Sequence, residues 1–269
     1  MLFKRVISAA VGILYLIIVL YFRGWLLNIS VLAITLLGMY EFYTSIRRKG
    51  YKPISLLGYL YIIVLFYFIV VKTDSIPGII ITVIAAMICI FYNVVNIQST
   101  AIDASFTIMG FVYPGMALLS LLILGNLTQP YYHYLLVFTL IATWSTDTFA
   151  YFTGIKFGKN KLCPDISPKK TVEGSLGGLT GSVIAGIVTG WVLNSYFNVS
   201  IGYHHYVIMS LICGITSQAG DLTASSIKRF CGIKDFGHIF PGHGGILDRF
   251  DSIMFTVPAI CTYYFICLI

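Results

Sequence analysis

The sequence predicts an all-α, polytopic integral membrane protein with about nine transmembrane helices, and three observations support that fold class. Of its 269 residues, 58% are hydrophobic and only 10% are charged, whereas a soluble domain carries about 25% charged residues. The apolar stretches run for roughly 17–25 residues, the length that a helix needs to cross a bilayer. They also lack the apolar–polar alternation of membrane β-strands. Most of the surface must therefore face lipid, and the backbone must satisfy its hydrogen bonds within helices.

Nine hydrophobic spans can be drawn, and the breaks between them carry turn-forming residues or charge. The predicted spans are 5–22, 25–46, 54–72, 76–96, 104–125, 132–156, 175–197, 206–230 and 249–269. The first span resembles a signal peptide but has no small-x-small cleavage site before Arg23, so we interpret it as a retained helix. The short N-terminus, without a transit-type segment, favours a bacterial inner (plasma) membrane.

The distribution of Lys and Arg predicts the orientation of these spans. With the N-terminus in the cytoplasm, 15 of the 17 basic residues lie on the inner side, and only Arg23 and Lys72 lie outside. Cytoplasmic loops carry such an excess of positive charge. The C-terminus is then expected outside. The two longest polar segments, 157–174 and 231–248, are both expected to face the cytoplasm.

Because the basic residues flank hydrophobic spans, the net charge of +7 is explained by the membrane, and no nucleic-acid partner is expected.

We divide the chain into residues 1–130, whose five spans form a scaffold and provide possible dimer contacts, and residues 131–269, which form the catalytic region. No clear internal repeat is present, which argues against an inverted-repeat transporter.

Four acidic residues in or beside the late spans are candidates for a functional site. They are Asp147, Asp221, Asp248 and Asp251. A carboxylate at the bilayer centre costs on the order of 2.5–3.5 kcal/mol on insertion scales, so it normally faces the protein interior and has a partner. Each aspartate alone could be an ion-pair partner of a nearby Lys or Arg. Four of them near one membrane face favour a cation site with oxygen ligands.

The ligand types predict the metal. Carboxylates and hydroxyls without a Cys or His cluster indicate a hard cation, Mg²⁺ rather than Zn²⁺. Mg²⁺ is usually bound together with substrate phosphates. The basic residues beside the carboxylates have the charge needed to hold those phosphates.

Two polar loops supply the remaining candidates. The loop 165–178 contains Ser167, Lys169, Lys170, Thr171, Glu173 and Gly174 and leads into a helix, whose N-terminal amides favour phosphate. It could also be a simple positive-inside anchor. The loop 226–251 combines basic residues, carboxylates and the tight turn Pro-Gly-His-Gly-Gly, in which the backbone can approach a ligand closely. A plain connecting loop would not need such a mixture.

The stretch from Ser226 to Asp251 resembles the signature of phosphatidate cytidylyltransferases (CDP-diacylglycerol synthases). It reads Ser-x-x-Lys-Arg, then Lys-Asp, then Pro-Gly-His-Gly-Gly-x-x-Asp-Arg-x-Asp. The segments around Trp144–Asp147 and Ser167–Gly174 are also similar to that family. The resemblance covers roughly 144–251, whereas the first five spans match only in being hydrophobic.

The resemblance implies transfer of CMP from CTP to phosphatidic acid in the bilayer, giving CDP-diacylglycerol and pyrophosphate in phospholipid biosynthesis, with Mg²⁺ as cofactor. A second cation and a homodimer are left open. The catalytic residues implied are Asp221, Asp248, Lys228, Arg229, Lys234, His243 and Arg249. The nucleotide-binding residues implied are Ser167, Lys169, Lys170, Thr171, Glu173, Gly174, Asp235, Gly244 and Gly245. The metal ligands implied are Asp147, Asp221, Asp248 and Asp251.

Three alternatives remain at this stage. A CTP-dependent lipid kinase of the polyprenol or phytol type would handle similar ligands, but the long signature argues against it. A related cytidylyltransferase acting on an ether lipid would need the same phosphate-binding groups. A cation channel or transporter would also place aspartates in spans, although it would not explain the dense mixture of basic and acidic residues in one loop.

Overall fold

The computed structural model describes residues 2–72, 76–96, 99–127, 133–239 and 244–269, with side chains of 2–9 and 76–77 outside the description. Most of these residues are helical. The helices are α1 Leu2–Phe22, α2 Gly24–Arg48, α3 Ser55–Tyr67, α4 Ile76–Val95, α5 Ala101–Gly110, α6 Ala117–Gly125, α7 Tyr134–Phe157, α8 Val172–Tyr196, α9 Tyr203–Cys231, α10 Leu247–Phe250 and α11 Ile253–Cys267. The strands are β1 Lys161–Cys163 and β2 Ser167–Thr171.

Two π-helical segments extend or join these helices. The segment Phe68–Lys72 continues α3, and the segment Phe111–Met116 joins α5 to α6. The second contains Pro114, which has no N–H to donate and therefore interrupts a regular helical ladder. Residues Ala101–Gly125 therefore form one continuous apolar helical segment, which is irregular at Phe111–Met116.

Seven helices in the described part of the chain are long and apolar enough to cross a membrane. They are Gly24–Arg48, Ser55–Lys72, Gly78–Val95, Ala101–Gly125, Tyr134–Phe157, Val172–Tyr196 and Tyr203–Cys231. Two further apolar helices, Ala10–Phe22 and Ile253–Cys267, are shorter. The predicted all-α, multi-span membrane fold is confirmed. The count of nine spans and the sides of the two termini stay predictions.

The chain forms two compact units, each assembled from segments distant in sequence. The first unit is Met1–Ile123 with Phe230–Arg249, and the second is Leu124–Arg229 with Phe250–Ile269. Most of the second polar loop therefore packs with the N-terminal helices. The division proposed at residue 130 concerned function, and it stays a prediction.

The core of the first unit is built around Tyr43 of α2. Its ring is fully buried, and its hydroxyl donates to the backbone oxygen of Thr107 at 2.9 Å. Gly58 and Gly110 lie directly against this ring, and a Cβ at either position would overlap it. The glycines thus let α3 and α5 approach α2 closely, since a small residue is needed where helices meet at short distance.

In the second unit, α7 and α8 pack through glycines. A Cβ at Gly174 would lie 2.8 Å from the backbone oxygen of Ala150, and one at Gly178 would lie 3.0 Å from that of Thr146. Backbone atoms cannot move aside as side chains can, so these positions tolerate only glycine without a helix shift. This packing holds Asp147 of α7 beside the start of α8.

A two-stranded antiparallel sheet connects α7 to α8 where the sequence predicted only a polar loop. Lys161 pairs with Thr171, and Cys163 pairs with Ser167. The backbone N–H of Val172 donates to the oxygen of Asn160 at 2.9 Å, which closes the hairpin at its base. Hydropathy could not show these strands, because both are short, polar and held by contacts at the helix ends.

Candidate active site

The second unit contains a cavity of about 580 Å³ that opens between α7, α8, α9 and the hairpin. It combines carboxylates, ammonium groups, hydroxyls and small residues. Its lining residues are Asp147, Ala150, Tyr151, Gly154, Ile155, Lys161, Leu162, Lys169, Lys170, Thr171, Gly174, Ser175, Gln218 and Asp221. Asp147, Tyr151 and Gly154 are spaced i, i+4 and i+7 along α7, so they share one helix face, and all three line the cavity.

Asp221 and Lys170 form an ion pair within this cavity. The ammonium nitrogen of Lys170 lies 2.6 Å from Oδ2 of Asp221, and both side chains are partly buried. Ser225, one turn along α9, donates to Oδ1 of Asp221 at 3.4 Å. A half-buried ion pair of this kind is screened less than a surface pair. The cavity therefore brings together Asp221, a predicted metal ligand, and Lys170, a predicted nucleotide-binding residue.

Asp147 links three segments of the second unit. Its Oδ1 accepts a hydrogen bond from the hydroxyl of Ser217 in α9 at 3.1 Å. The hydroxyl of Ser252, just before α11, lies 3.3 Å from Oδ2 and 3.4 Å from Oδ1 of the same carboxylate. The Asp147 carboxylate is also near enough to Asp221 and Lys170 for their charges to interact. The expected interior partners of this intramembrane carboxylate are therefore hydroxyls.

Asp251 lies between α10 and α11, beside the same group of residues. Its carboxylate is near enough to Asp221 and Lys228 for their charges to interact, and its Oδ1 accepts from the N–H of Ser252 at 2.8 Å. The backbone oxygen of Asp251 also touches Gly220, where a Cβ would lie 2.5 Å away, so α9 approaches this turn closely.

The donor set of the second unit fits a hard cation, although the protein alone does not complete a coordination shell. Among the described residues, no three His, Cys, Asp or Glu side chains gather as a metal site. Mg²⁺ usually takes one or two carboxylates and completes its shell with waters and substrate phosphates. Asp147 and Asp221, with the hydroxyl of Ser217, supply that kind of partial shell.

The remaining residues of the first polar loop serve the hairpin and the start of α8. The hydroxyl of Thr171 accepts from the N–H of Gly174 at 3.1 Å and caps α8. The carboxylate of Glu173 accepts from the N–H groups of Lys159 and Asn160 and from the Asn160 amide. Ser167 begins β2. Glu173 therefore holds the hairpin and is not among the residues lining the cavity.

The basic residues at the end of α9 also lie near the hairpin. Nε of Arg229 donates to the backbone oxygen of Ile166 at 3.3 Å. Lys228, one position earlier, is half-buried and interacts electrostatically with Asp251. Both predicted phosphate ligands thus belong to the second unit, like the cavity.

The signature residues from Lys234 to Arg249 belong to the first unit. Asp248 is buried, and its Oδ2 accepts from the N–H groups of Phe236 at 2.8 Å and Gly245 at 2.9 Å. Lys234 and Arg249 are exposed, and Asp235 is half-buried. Gly244 has φ +84°, a left-handed conformation that favours glycine. The predicted His243 lies outside the described residues.

Glu41 of α2 is a buried carboxylate that was not among the candidate residues predicted from the sequence. Its exposed fraction is 3%, and its two oxygens accept from the N–H groups of Ile246 at 3.0 Å and Leu247 at 2.9 Å. The signal was available, because Glu41 is an acidic residue inside a predicted span and such residues are normally partnered and functional.

Comparison with known proteins gives the family. The sequence model of the cytidylyltransferase family matches residues 3–267. The chain belongs to this cytidylyltransferase family. Its relatives include a phosphatidate cytidylyltransferase of Synechocystis sp., 31% identical over 99% of this chain and 97% of the relative. That of Bacillus subtilis is 33% identical over 82% of this chain and 83% of the relative. That of Staphylococcus saprophyticus is 42% identical over 59% of this chain and 58% of the relative.

The family membership confirms the resemblance that the signature predicted and the nucleotidyltransferase class of the enzyme. It also extends the resemblance from residues 144–251 to nearly the whole chain. The first five spans, which matched only in hydrophobicity, therefore belong to the family fold. The roles predicted for individual residues stay predictions.

Proposed function

We propose that this chain transfers CMP from CTP to phosphatidic acid, giving CDP-diacylglycerol and pyrophosphate. Membership of the cytidylyltransferase family and the phosphatidate cytidylyltransferases among its relatives support this reaction. The structural observation that carries it is the cavity in which Asp221 and Lys170 are paired beside Asp147. Carboxylates and ammonium groups lining the same cavity are what a metal–nucleotide complex requires.

Electrostatic repulsion between two polyanionic substrates is the main obstacle to this reaction, and the cavity carries groups that oppose it. Lys161, Lys169 and Lys170 line the hairpin side of the cavity. Each ammonium is a compact charge that can contact phosphate oxygens. Lys170 is held by Asp221, so its position is fixed before substrate arrives. The lysine ammonium groups are therefore already in position to stabilise the negative charge of the transition state, and they need not reorganise during the reaction.

Asp147 and Asp221 are the residues of the second unit that we assign as Mg²⁺ ligands, with the hydroxyl of Ser217 beside them. Mg²⁺ bound there would neutralise charge on the triphosphate and its pyrophosphate leaving group. Ser217 and Ser252 orient the Asp147 carboxylate through their hydroxyl groups. Asp251 is assigned as a supporting carboxylate of the same unit. For Asp248, which belongs to the first unit, the metal-ligand role implied by the resemblance stays a prediction.

The lipid substrate needs a phosphate-binding end and an apolar path. Its phosphate is already ionised at neutral pH, so the attacking oxygen needs no strong general base; positioning is the main requirement. Tyr151 and Ile155 line the cavity on the α7 side and are 64% and 67% exposed. Such exposed apolar side chains next to a polar cavity suit acyl chains that stay within the bilayer.

The cellular setting follows from the orientation predicted by charge. We place the enzyme in the bacterial inner membrane, with its active site open to the cytoplasm, where CTP is present. The apolar helices support a multi-pass membrane protein, and the relatives named above are bacterial enzymes. A homodimer stays a prediction from the family resemblance.

Incubation of the purified protein with CTP labelled in cytidine, phosphatidic acid and Mg²⁺ tests the proposed reaction. We expect the label in the lipid fraction as CDP-diacylglycerol, together with one pyrophosphate for each lipid product. A parallel reaction with an ether lipid in place of phosphatidic acid measures how specific the acceptor site is. Chelation of the divalent ion should stop both.

Other outcomes correspond to the alternative functions. A phosphorylated lipid with released CDP would indicate a lipid kinase, which transfers the γ-phosphoryl group. Absence of any lipid product, together with cation flux in vesicles, would indicate a transporter. Either outcome would refute the proposed reaction.

A further inference from the structure

The signature segment of the first unit is held by a carboxylate that lies far away in the sequence. Glu41 accepts hydrogen bonds from the N–H groups of Ile246 and Leu247, one to each oxygen. These residues immediately precede Asp248. Each oxygen of the Glu41 carboxylate thus has its own N–H donor, and Ile246 and Leu247 are both buried. Glu41 therefore fixes the backbone from which the Asp248 side chain projects.

Glycines in the same loop provide the space that Glu41 occupies. A Cβ at Gly237 or at Gly245 would overlap the Glu41 carboxylate. On the adjacent turn of α2, a Cβ at Gly38 would lie 3.1 Å from Leu247. The two ends of the loop, near 237 and 245, thus close around one side chain of α2. Close backbone approach of this kind explains the glycines without a ligand.

Asp248 completes the arrangement from the other side. Its Oδ2 accepts from the N–H groups of Phe236 and Gly245, so the carboxylate is oriented by the backbone that Glu41 holds. A shift of residues 245–247 would therefore move both the Asp248 backbone and its hydrogen-bond donors. The Glu41 and Asp248 carboxylates are therefore connected through the backbone of residues 245–247. Glu41 holds this backbone, and Asp248 carries the predicted ligand oxygens.

We infer that Glu41 is a positioning residue that orients Asp248 for cation binding. The inference rests on the proposed function and on the predicted role of Asp248 as a cation ligand, and it adds a residue of the second helix, outside the signature and outside both polar loops. Residues that orient metal ligands change metal affinity by about 10–100-fold when they are replaced. The effect of Glu41 should therefore appear in cation affinity as well as in turnover.

The test compares Glu41→Gln with Glu41→Asp. The glutamine amide has a single acceptor oxygen, and its NH₂ would face one of the two backbone donors. Aspartate keeps two acceptor oxygens and is one methylene shorter. In Mn²⁺ binding followed by electron paramagnetic resonance, we expect affinity to fall about tenfold in Glu41→Gln and to be largely restored in Glu41→Asp. Amide exchange at Ile246 and Leu247 should accelerate in Glu41→Gln.

Asp103→Asn is the matched control in the same unit. Asp103 is also a buried carboxylate that accepts from backbone, at Thr100, in a capping box of α5. We expect it to leave Mn²⁺ affinity unchanged while lowering thermal stability. Equal Mn²⁺ affinity in Glu41→Gln and wild type, or an equal loss in Asp103→Asn, would overturn the inference.

Failure of the inference and failure of the proposed function are distinguished by a separate measurement. Labelled lipid formed by the wild-type protein decides the reaction, whatever the Glu41 variants do. Absence of Mn²⁺ binding by the wild type would overturn the inference even if lipid product forms. The restoration by aspartate keeps the test decisive if Glu41→Gln lowers the yield of folded protein.

Discussion

The Asp147 side chain combines a structural contact with a proposed ligand role. Its carboxylate accepts from Ser217 and Ser252 and so connects α7, α9 and the start of α11. Asp221 instead pairs with Lys170. Because the partners of Asp147 are hydroxyls, an amide can replace its carboxylate and still accept one hydrogen bond. Replacement of Asp147 by asparagine should therefore remove the negative charge and leave the fold intact.

We expect Asp147→Asn and Asp221→Asn to lower CMP transfer on the order of 100-fold or more, since each removes charge that stabilises the transition state. The measurement is lipid-borne label at saturating CTP, with size-exclusion profiles to confirm folding. Asp165→Asn is the control, because Asp165 is an exposed residue of the hairpin turn and should stay near wild type. Near-normal activity in both site variants would refute the metal assignment.

At the same scale, the sequence indicated that Asp147 and Asp221 face the protein interior, but it did not indicate which groups Glu173 contacts. An aspartate in an apolar span has a large energetic cost, so its presence alone indicated an interior partner. Glu173 gave no such signal. The nucleotide-binding role that the resemblance implied for Glu173 stays a prediction. The backbone amides from which its carboxylate accepts become neighbours only when the hairpin folds.

The hairpin between α7 and α8 carries Lys161, Lys169 and Lys170 to the cavity. Its strands are three and five residues long, too short to be stable by themselves. Contacts at its base therefore decide its position. Glu173 supplies those contacts through the N–H groups of Lys159 and Asn160.

Replacement of Glu173 by Ala should release the hairpin. We expect faster amide exchange across 159–171 and a KM for CTP that rises about tenfold, because three lysines lose their fixed position. Asn160→Ala removes only one side-chain contact to Glu173 and should give a smaller change in the same direction. An unchanged exchange rate in Glu173→Ala would contradict the role assigned to this carboxylate.

The packing of α7 on α8 gives a second prediction for an element. Gly174→Ala would place a Cβ 2.8 Å from the backbone oxygen of Ala150 and 3.2 Å from Cα of Gly154. We expect a loss of about 1–3 kcal/mol in stability, the usual cost of overpacking, and lower activity because Gly174 lines the cavity. Thermal unfolding in detergent measures the stability.

Gly12→Ala is the matched control for this substitution. Gly12 lies in α1 with nothing within 4 Å of its Cβ position, and alanine is the better helix former. We therefore expect no loss of stability. If Gly174→Ala unfolds at the same temperature as Gly12→Ala, α7 and α8 can move apart without a loss of stability, and close packing at Gly174 is not required.

For the molecule as a whole, composition and hydrophobic length predicted the membrane fold, because bilayer thickness sets helix length directly. Within the described residues, helices coincide with the predicted spans, and seven of these helices are long and apolar enough for a full crossing, so the count of nine stays a prediction. The grouping of 230–249 with the N-terminal helices had no signal in hydropathy. It depends on a few specific contacts, such as those of Glu41, which only a three-dimensional arrangement reveals.

The orientation inferred from charge can be tested with single cysteines in the second unit. Asp165 in the hairpin and Ser200 between α8 and α9 are both exposed and lie at opposite ends of α8. With 15 of 17 basic residues on the inner side, we expect Asp165→Cys to be cytoplasmic and Ser200→Cys to be outside. Replacing Cys163 and Cys267, which are not buried, lowers the background.

Labelling of intact cells with a membrane-impermeant thiol reagent gives the measurement. Ser200→Cys should react in intact cells, and Asp165→Cys should react only after the membrane is opened. Both variants labelled in intact cells, or the reverse pattern, would place the lysine-bearing hairpin outside. A CTP-dependent enzyme would then face a compartment without its nucleotide, so this outcome would contradict the cytoplasmic active site together with the orientation.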